Sequence, residues 1–304
     1  MSADNIQYPY GPPTVSGDNY TVDFLTQDPS RVTRVIANLA LQKFYVDAVF
    51  APAGAITGGA VLYEQATEND LYAQRDVENV EAGSEFPIVT FDRNAPRTAQ
   101  VEKFGGKFAV TDEARRRNQI GRVNRAIQQL ANTIQRRTQA VAIAELEAAV
   151  TEHSRTAVGT PWDTNAGVAA ADKVSTSGPL ADLTAVEKSN ANQELGYTYD
   201  FAIMNPNEWR YFRLAAGGQV SDARALLADS GINDVWVTNR KSIGSVYWLA
   251  QRQVGELGYE VPLSTETWRD SDGKQQDWYQ SYVLPICYVT DPFAILETTG
   301  HFAD

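Results

Sequence analysis

Two residue types that carry much of protein chemistry are nearly missing from this 304-residue chain. It holds one cysteine, Cys287, and two histidines, His153 and His301. A single cysteine excludes an internal disulfide and points to a reducing compartment. Without a second histidine or cysteine at ligand spacing, neither histidine reads as a metal ligand. His153, at the end of a helical pattern, reads instead as a complement to the helix dipole. Long apolar runs are lacking too. None reaches the ~18 residues needed to span a bilayer, and the N-terminus has no basic-then-apolar signal. A soluble protein with no membrane partner and no recognisable export signal is expected.

Signatures of catalysis are equally scarce. Gly105-Gly106-Lys107 lacks the upstream glycine and the Ser/Thr of a phosphate-cradling loop, so it reads as a turn. No Gly-x-Ser-x-Gly elbow occurs. Asp270-Ser271-Asp272-Gly273 is only superficially a calcium loop, because its glycine comes early and no glutamate closes it; a hairpin turn fits better. Cys287 lies in an apolar strand pattern, where a thiol is inert packing. Carboxylates are plentiful, but spacing singles out no acid/base pair. No catalytic residue, cofactor or metal site is expected, and a soluble enzyme with an unrecognised carboxylate site stands as a remote alternative.

What the chain does have is charge arranged in blocks. From Arg115 to Ile143 there are seven arginines and no acid; from Val61 to Asp92 there are eight acids and one base, Arg75. The net charge is −12, which disfavours nucleic-acid binding by bulk electrostatics, although the arginine cluster could touch phosphate locally. The arginine block falls in a helical pattern from Thr111 to His153. Apolar or small residues recur at Ile120, Val123, Ile127, Leu130, Ile134, Val141, Ala144 and Ala148, interrupted only at Arg137. Thr111 suits an N-cap, with Asp112 and Glu113 in the first turn. One helix of about 40 residues, roughly 60 Å long, is expected. That is about twice the diameter of a small domain, so other parts must cover it. The two blocks suggest contact between an acidic excursion and a basic helix, within one chain or between chains; the bland reading is two solvated faces.

Elsewhere, residues 1–29 are polar and carry Pro9, Pro12 and Pro13, as an extended arm would. Asp28-Pro29 reads as a helix start, with Val32, Val35, Ile36 and Leu39 on the buried face of a helix ending near Phe44. Ala60–Tyr63 and 87–91 read as short strands of a projecting two-stranded arm. Residues 100–110 lead into the long helix across a Gly105-Gly106 kink. A small-residue linker over 154–180 is followed by a helix over 184–193, a buried strand over 201–204 and a helix capped by Asn205-Pro206. A second short helix over 221–228, strands over 235–237 and 246–249, a hairpin around Asp270-Gly273 and closing strands over 286–296 with Pro292 between them complete an α+β pattern. The six tryptophans read as core, with some at subunit contacts.

This order of parts resembles the major capsid proteins of tailed bacteriophages, with the Hong Kong 97-type shell fold. Phe104-Gly-Gly-Lys-Phe-Ala-Val-Thr-Asp-Glu113 is similar to the strand entering that family's spine helix. Phe201-Ala-Ile-Met-Asn-Pro-Asn-Glu-Trp209 is similar to its strand-to-helix step near the capsomer axis, and Asp291-Pro-Phe-Ala-Ile-Leu296 to its closing strand. The resemblance implies an N-terminal arm (1–29), a short helix and entry strand (30–57) and an extended loop (58–100). It further implies a peripheral domain with the spine helix (101–155 and 252–290) and an axial domain (156–251 and 291–304). The implied function is self-assembly, through pentamers and hexamers, into the icosahedral shell of a virion that encloses double-stranded DNA without sequence-specific binding. A portal, decoration proteins and assembly in the host cytoplasm are implied with it; because the chain begins directly with its arm, any scaffold is expected to be a separate protein or already removed. An encapsulin-like compartment shell is the alternative. The acidic loop would lie over a neighbour, so that Asp70, Asp76, Glu78, Glu81 and Glu85 meet Arg115, Arg116, Arg117 or Arg122 of another copy. Some members link subunits covalently through a loop lysine; no lysine lies between Lys43 and Lys103 here, so a non-covalent shell is expected.

Overall fold

The structure is a computed structural model. It describes residues 32–36, 46–67, 94–162, 178–192 and 197–302, single positions at 79, 80, 83, 85 and 86, and the backbone of the two short strands β1 (Val15–Ser16) and β2 (Asn19–Tyr20). The expected helix start at Asp28-Pro29, Leu39, the end near Phe44 and the 87–91 strand lie outside the described residues, as does most of the arm.

A single helix organises the rest. Thr111 caps it as expected, its Oγ1 accepting from Ala114 N at 3.2 Å, but the first piece, α3 (Asp112–Arg116), lasts barely a turn. The backbone breaks at 117–119, where Asn118 takes φ +47°, and resumes as α4 (Ile120–Glu152), 33 residues or about 50 Å long. The expected unbroken rod is therefore a short turn and a long rod. The expected stripe also drifts. Val123, Ile127, Ala131 and Ile134 are buried, and the line continues through Thr138, Ala142, Leu146 and Ala149, while Ala144 and Ala148 are exposed. A 3-4 spacing averages 3.5 residues, whereas a straight helix turns every 3.6, so a strict heptad slips about 20° per repeat off the buried face.

The two halves of α4 enter different cores. Val123, Ile127 and Ala131 pack with Val32 and Ile36 of α1 (32–36) and with Val110 and Tyr279 of a four-stranded sheet. That sheet has the order β3 (Ala51–Pro52), β11 (Gly255–Arg269), β12 (Gln276–Val289), β6 (Phe104–Thr111). Ala142, Ile143, Leu146 and Val150 pack with α2 (Val46–Val49), Phe201, Ile203 and Leu249. These last belong to a five-stranded sheet of order β7 (Thr156–Val158), β13 (Ile295–Thr299), β10 (Ser245–Leu249), β8 (Phe201–Met204), β9 (Asp234–Val237). Its far face is covered by α5 (Pro179–Asn192), α6 (Pro206–Ala215) and α7 (Val220–Asp229) around Trp162, Leu183, Phe212, Leu227 and Trp248. The all-apolar run of β8 is buried at every position, as an interior strand flanked on both faces requires. The 3₁₀ turn Pro292–Ala294 leads into β13.

Two glycines correct the expected kink. Gly105 and Gly106 lie inside the continuous strand β6, which pairs antiparallel with β12 from Phe104–Val283 to Thr111–Gln276. A Cβ at Gly105 would sit 2.3 Å from Ser281 O, and one at Gly106 2.7 Å from Leu130 Cδ1. At Gly105 glycine is needed for the close approach of the β12 backbone, not for a bend, whereas a side chain at Gly106 would meet only the tip of Leu130. The excursion has a correction as well. Ala60–Tyr63 (β4) pairs with β5 (Arg97–Gln100), downstream of the 87–91 run expected to oppose it. In the expected linker, residues 156–158 form β7, parallel to β13; residues 163–177 lie outside the described residues. Arginine-mediated pairing, Arg269 with Asp112 and Arg115 with Asp277, ties the hairpin tip to α3.

Candidate assembly surfaces

The acidic excursion is anchored at the C-terminal end of α4. Arg97 of β5 binds Glu152 through two hydrogen bonds of 2.5 and 2.7 Å. Buried Gln65 donates to Val289 O (3.3 Å) and lies 3.2 Å from His153 Nε2, while Asn94 Nδ2 donates to Gln65 O (3.0 Å). Ala66 N donates to Thr290 O. Beneath them Ile56, Ile286 and Tyr288 form a small apolar cluster. His153, the C-cap of α4, thus serves the excursion's base.

The arginines that sequence assigned to contact lie at the other end. Arg115 is committed within the chain, 2.5 Å from Asp277, and Arg269 reaches Asp277 (3.1 Å) and grips Asp112 with both terminal nitrogens at 2.7 Å. The Arg269 hydrogen bonds hold the Asp112 carboxyl below its ordinary value of 3.8. At the hairpin tip, Asp270 accepts from Gln276 Nε2, Asp272 N and Trp278 Nε1, which lowers its pKa to about 2. The carboxylates of this turn are used in holding the turn, which is why its calcium-loop look is superficial. Arg116, Arg117 and Arg122 are exposed around the helix break, and Arg122 donates to Gln119 Oε1 at 3.1 Å. Of the acids assigned to contact, Glu85 is described and is exposed. Asp70, Asp76, Glu78 and Glu81 lie outside the described residues.

Arg122 lies about 45 Å along α4 from Glu152, to which Arg97 ties the base of the excursion.

Sequence reasoning missed a buried polar network in the five-stranded unit. Asp182, 4% exposed, accepts from Thr160 N (3.0 Å) and Trp162 Nε1 (2.7 Å) and lies 3.2 Å from His301 Nδ1. His301 Nε2 is 2.8 Å from Thr298 Oγ1, which also accepts from Trp248 Nε1 at 2.9 Å. Hydroxyl, imidazole and carboxylate follow the order of a nucleophile relay. All three side chains are buried, however, and both tryptophans occupy acceptor positions, so the arrangement stitches the C-terminal segment to residues 159–162. Nearby, Lys241 binds Glu297 at 2.5 Å under the Tyr247 ring, and burial pulls the lysine pKa down. These partners are far apart in sequence, and no local spacing could have revealed them. Among the described residues no cluster of His, Cys, Asp or Glu suits a metal, and no helix is long and apolar enough to cross a membrane. Burial drives the Cys287 thiol far above its ordinary range, as expected of inert packing.

A family model described as phage capsid protein matches residues 94–298. The fold is similar to a virus-like particle from Pyrococcus furiosus (13% identity, 88% of this chain and 98% of that chain, TM-score 0.58). It is also similar to the capsid of Myoviridae phage XM1 (14%, 86% and 90%, 0.55) and that of cyanophage P-SCSP1u (12%, 86% and 89%, 0.55). Among curated proteins none matches the sequence.

Proposed function

As this chain belongs to the phage capsid protein family and is a major capsid protein of the Hong Kong 97 type that self-assembles into the virion shell, we propose that its acidic excursion clasps a neighbouring copy. The observation that carries this is that the base of the excursion is bound at the Glu152 end of α4, about 45 Å along the helix from Arg122. In the shell, Asp70, Asp76, Glu78, Glu81 and Glu85 face Arg116, Arg117 and Arg122 of the neighbour. Arg115, already bound to Asp277, contributes by holding the helix start in place. Each exposed pair adds about 0–1 kcal/mol, so the gain is register more than affinity.

The four-stranded unit with α4 (101–155 and 252–290) acts as the peripheral domain. The five-stranded unit (156–251 and 291–304) is the axial domain, meeting its copies around pentamer and hexamer axes. Exposed apolar side chains on that unit, Val158 (92%) on edge strand β7 and Ile243 (61%), support such contacts. Residues 1–29 act as an arm and 58–100 as the excursion. Assembly takes place in the host cytoplasm with a separate scaffolding protein and a portal, decoration proteins bind the finished shell, and the DNA within is held without sequence preference. The role is structural rather than enzymatic.

Negative-stain microscopy of purified protein tests the shell, with hollow polyhedral particles expected and single-copy material under every assembly condition overturning it. A second reading, a compartment shell carrying protein cargo, is favoured by the likeness to the virus-like particle. Nuclease-protected DNA inside particles from infected cells supports the first reading, and cargo protein without DNA the second.

A further inference from the structure

Beside the spine helix lies a groove of about 470 Å³ that the assignments above leave unused. Phe104, Leu130 and Ala140 give it an apolar floor, and Arg136, Arg137 and Arg240 a cationic rim. Arg240 comes from the turn after β9, so the groove joins α4 to the five-stranded unit. Arg137 is paired with Glu102 at 3.3 Å; among the described residues Arg136 and Arg240 have no ion-pair partner. An apolar floor under positive charge suits an occupant that is itself mixed, an aromatic or aliphatic side chain beside a carboxylate. Phosphate backbone would use the rim and leave the floor wet.

The same chain displays such an occupant. Phe86 is 79% exposed, and Glu85 beside it is exposed too. A phenyl ring this open on an acidic excursion is an unsatisfied apolar group next to a negative charge, the complement of the groove in both respects. Since Phe86 is open in the single chain, it is not seated in its own groove. We propose that Glu85-Phe86 of one copy plugs the groove of a second copy, the ring over Leu130 and Ala140 and the carboxylate between Arg136 and Arg240. This deepens the proposed clasp and rests on it, but it reassigns Glu85, with its aromatic neighbour, from the helix break to the middle of α4, leaving the other loop acids to Arg116, Arg117 and Arg122. Because the rim draws on both sheet units, the plug would also fix how α4 sits against the Arg240 turn.

Cysteine trapping tests it in particles. Phe86→Cys with Ala140→Cys, assembled and treated with a mild thiol oxidant, is expected to give covalent dimers and higher multimers on a non-reducing gel; Phe86→Cys alone gives none, since Cys287 is buried. Particles that form without cross-links, or with only a faster-running cross-linked monomer, overturn the plug while leaving the shell intact. Absence of particles from the unaltered chain would instead strike at the shell reading. Charge exchange gives an independent measure. Glu85→Arg or Arg240→Glu alone should raise the threshold concentration for assembly several-fold, and the two together restore it; Phe86→Ala should raise it roughly tenfold or more, as for the loss of one buried aromatic. Failure of the pair to restore assembly overturns the proposal, as does salt-sensitive duplex DNA binding by dissociated subunits that Arg136→Glu abolishes.

Discussion

Asp182 and Glu208 are both buried carboxylates, and their surroundings push them in opposite directions. Burial alone would raise Asp182, but hydrogen bonds from His301, Thr160 N and Trp162 outweigh it and hold the pKa below 3.8. A depressed folded pKa means stabilisation that is complete above the ordinary value and lost as pH falls through the folded one. Asp182→Asn should cost about 2–3 kcal/mol at pH 7, with the gap to wild type closing below pH 3.8 in thermal melts. At Glu208 burial dominates and raises the pKa above 4.5; Oε1 accepts from Gly244 N, while buried Oε2 has no hydrogen bond among the described residues. Here stability falls as pH rises past 4.5. Glu208→Gln keeps the acceptor for Gly244, so it should raise the melting temperature at pH 7 and leave it unchanged at pH 4. Local chemistry at this scale was partly legible. The Thr111 and Asn205 caps follow from side-chain type and position, with Asn205 Oδ1 accepting from Asn207 N at 3.1 Å. The pairing of Asp182 with His301 was not, because nothing within either segment encodes a partner over a hundred residues away.

The spine helix was legible in kind and misread in detail. Its arginine block and missing prolines set its extent, but the break at 117–119 has neither glycine nor proline to announce it. Asn118 makes the break by adopting φ +47°, a region that asparagine tolerates better than most residues. Asn118→Val should therefore destabilise the protein by about 1–2 kcal/mol, measured by denaturant titration, while Asn118→Gly should be near neutral. Along the helix the charges run against the macrodipole, arginines in the N-terminal half and Glu145, Glu147 and Glu152 toward the C-terminus. Stability must then come from the buried face and from outside partners such as Arg97 on Glu152. Gly105-Gly106 misled for a related reason. Paired glycines weaken a strand in isolation, and only the presence of the β12 backbone explains why a side chain is excluded at Gly105.

At the scale of the molecule, the order of elements carried the family, because chain order survives where individual residues do not. The contact surfaces were less visible. Opposite charge in two blocks announces attraction, yet which arginines are already taken, as Arg115 is by Asp277, depends on the folded hairpin. Denatured particles should run as single chains of 33.4 kDa on reducing gels, since the excursion has no lysine to donate an amine; a ladder of linked chains would refute a non-covalent wall. The spine helix has one more effect. Its front half is sealed in one hydrophobic interior and its back half in another, like a beam mortised into two walls. Neither interior can melt without pulling on timber that the other holds, so calorimetry of dissociated subunits should record a single endotherm, not two.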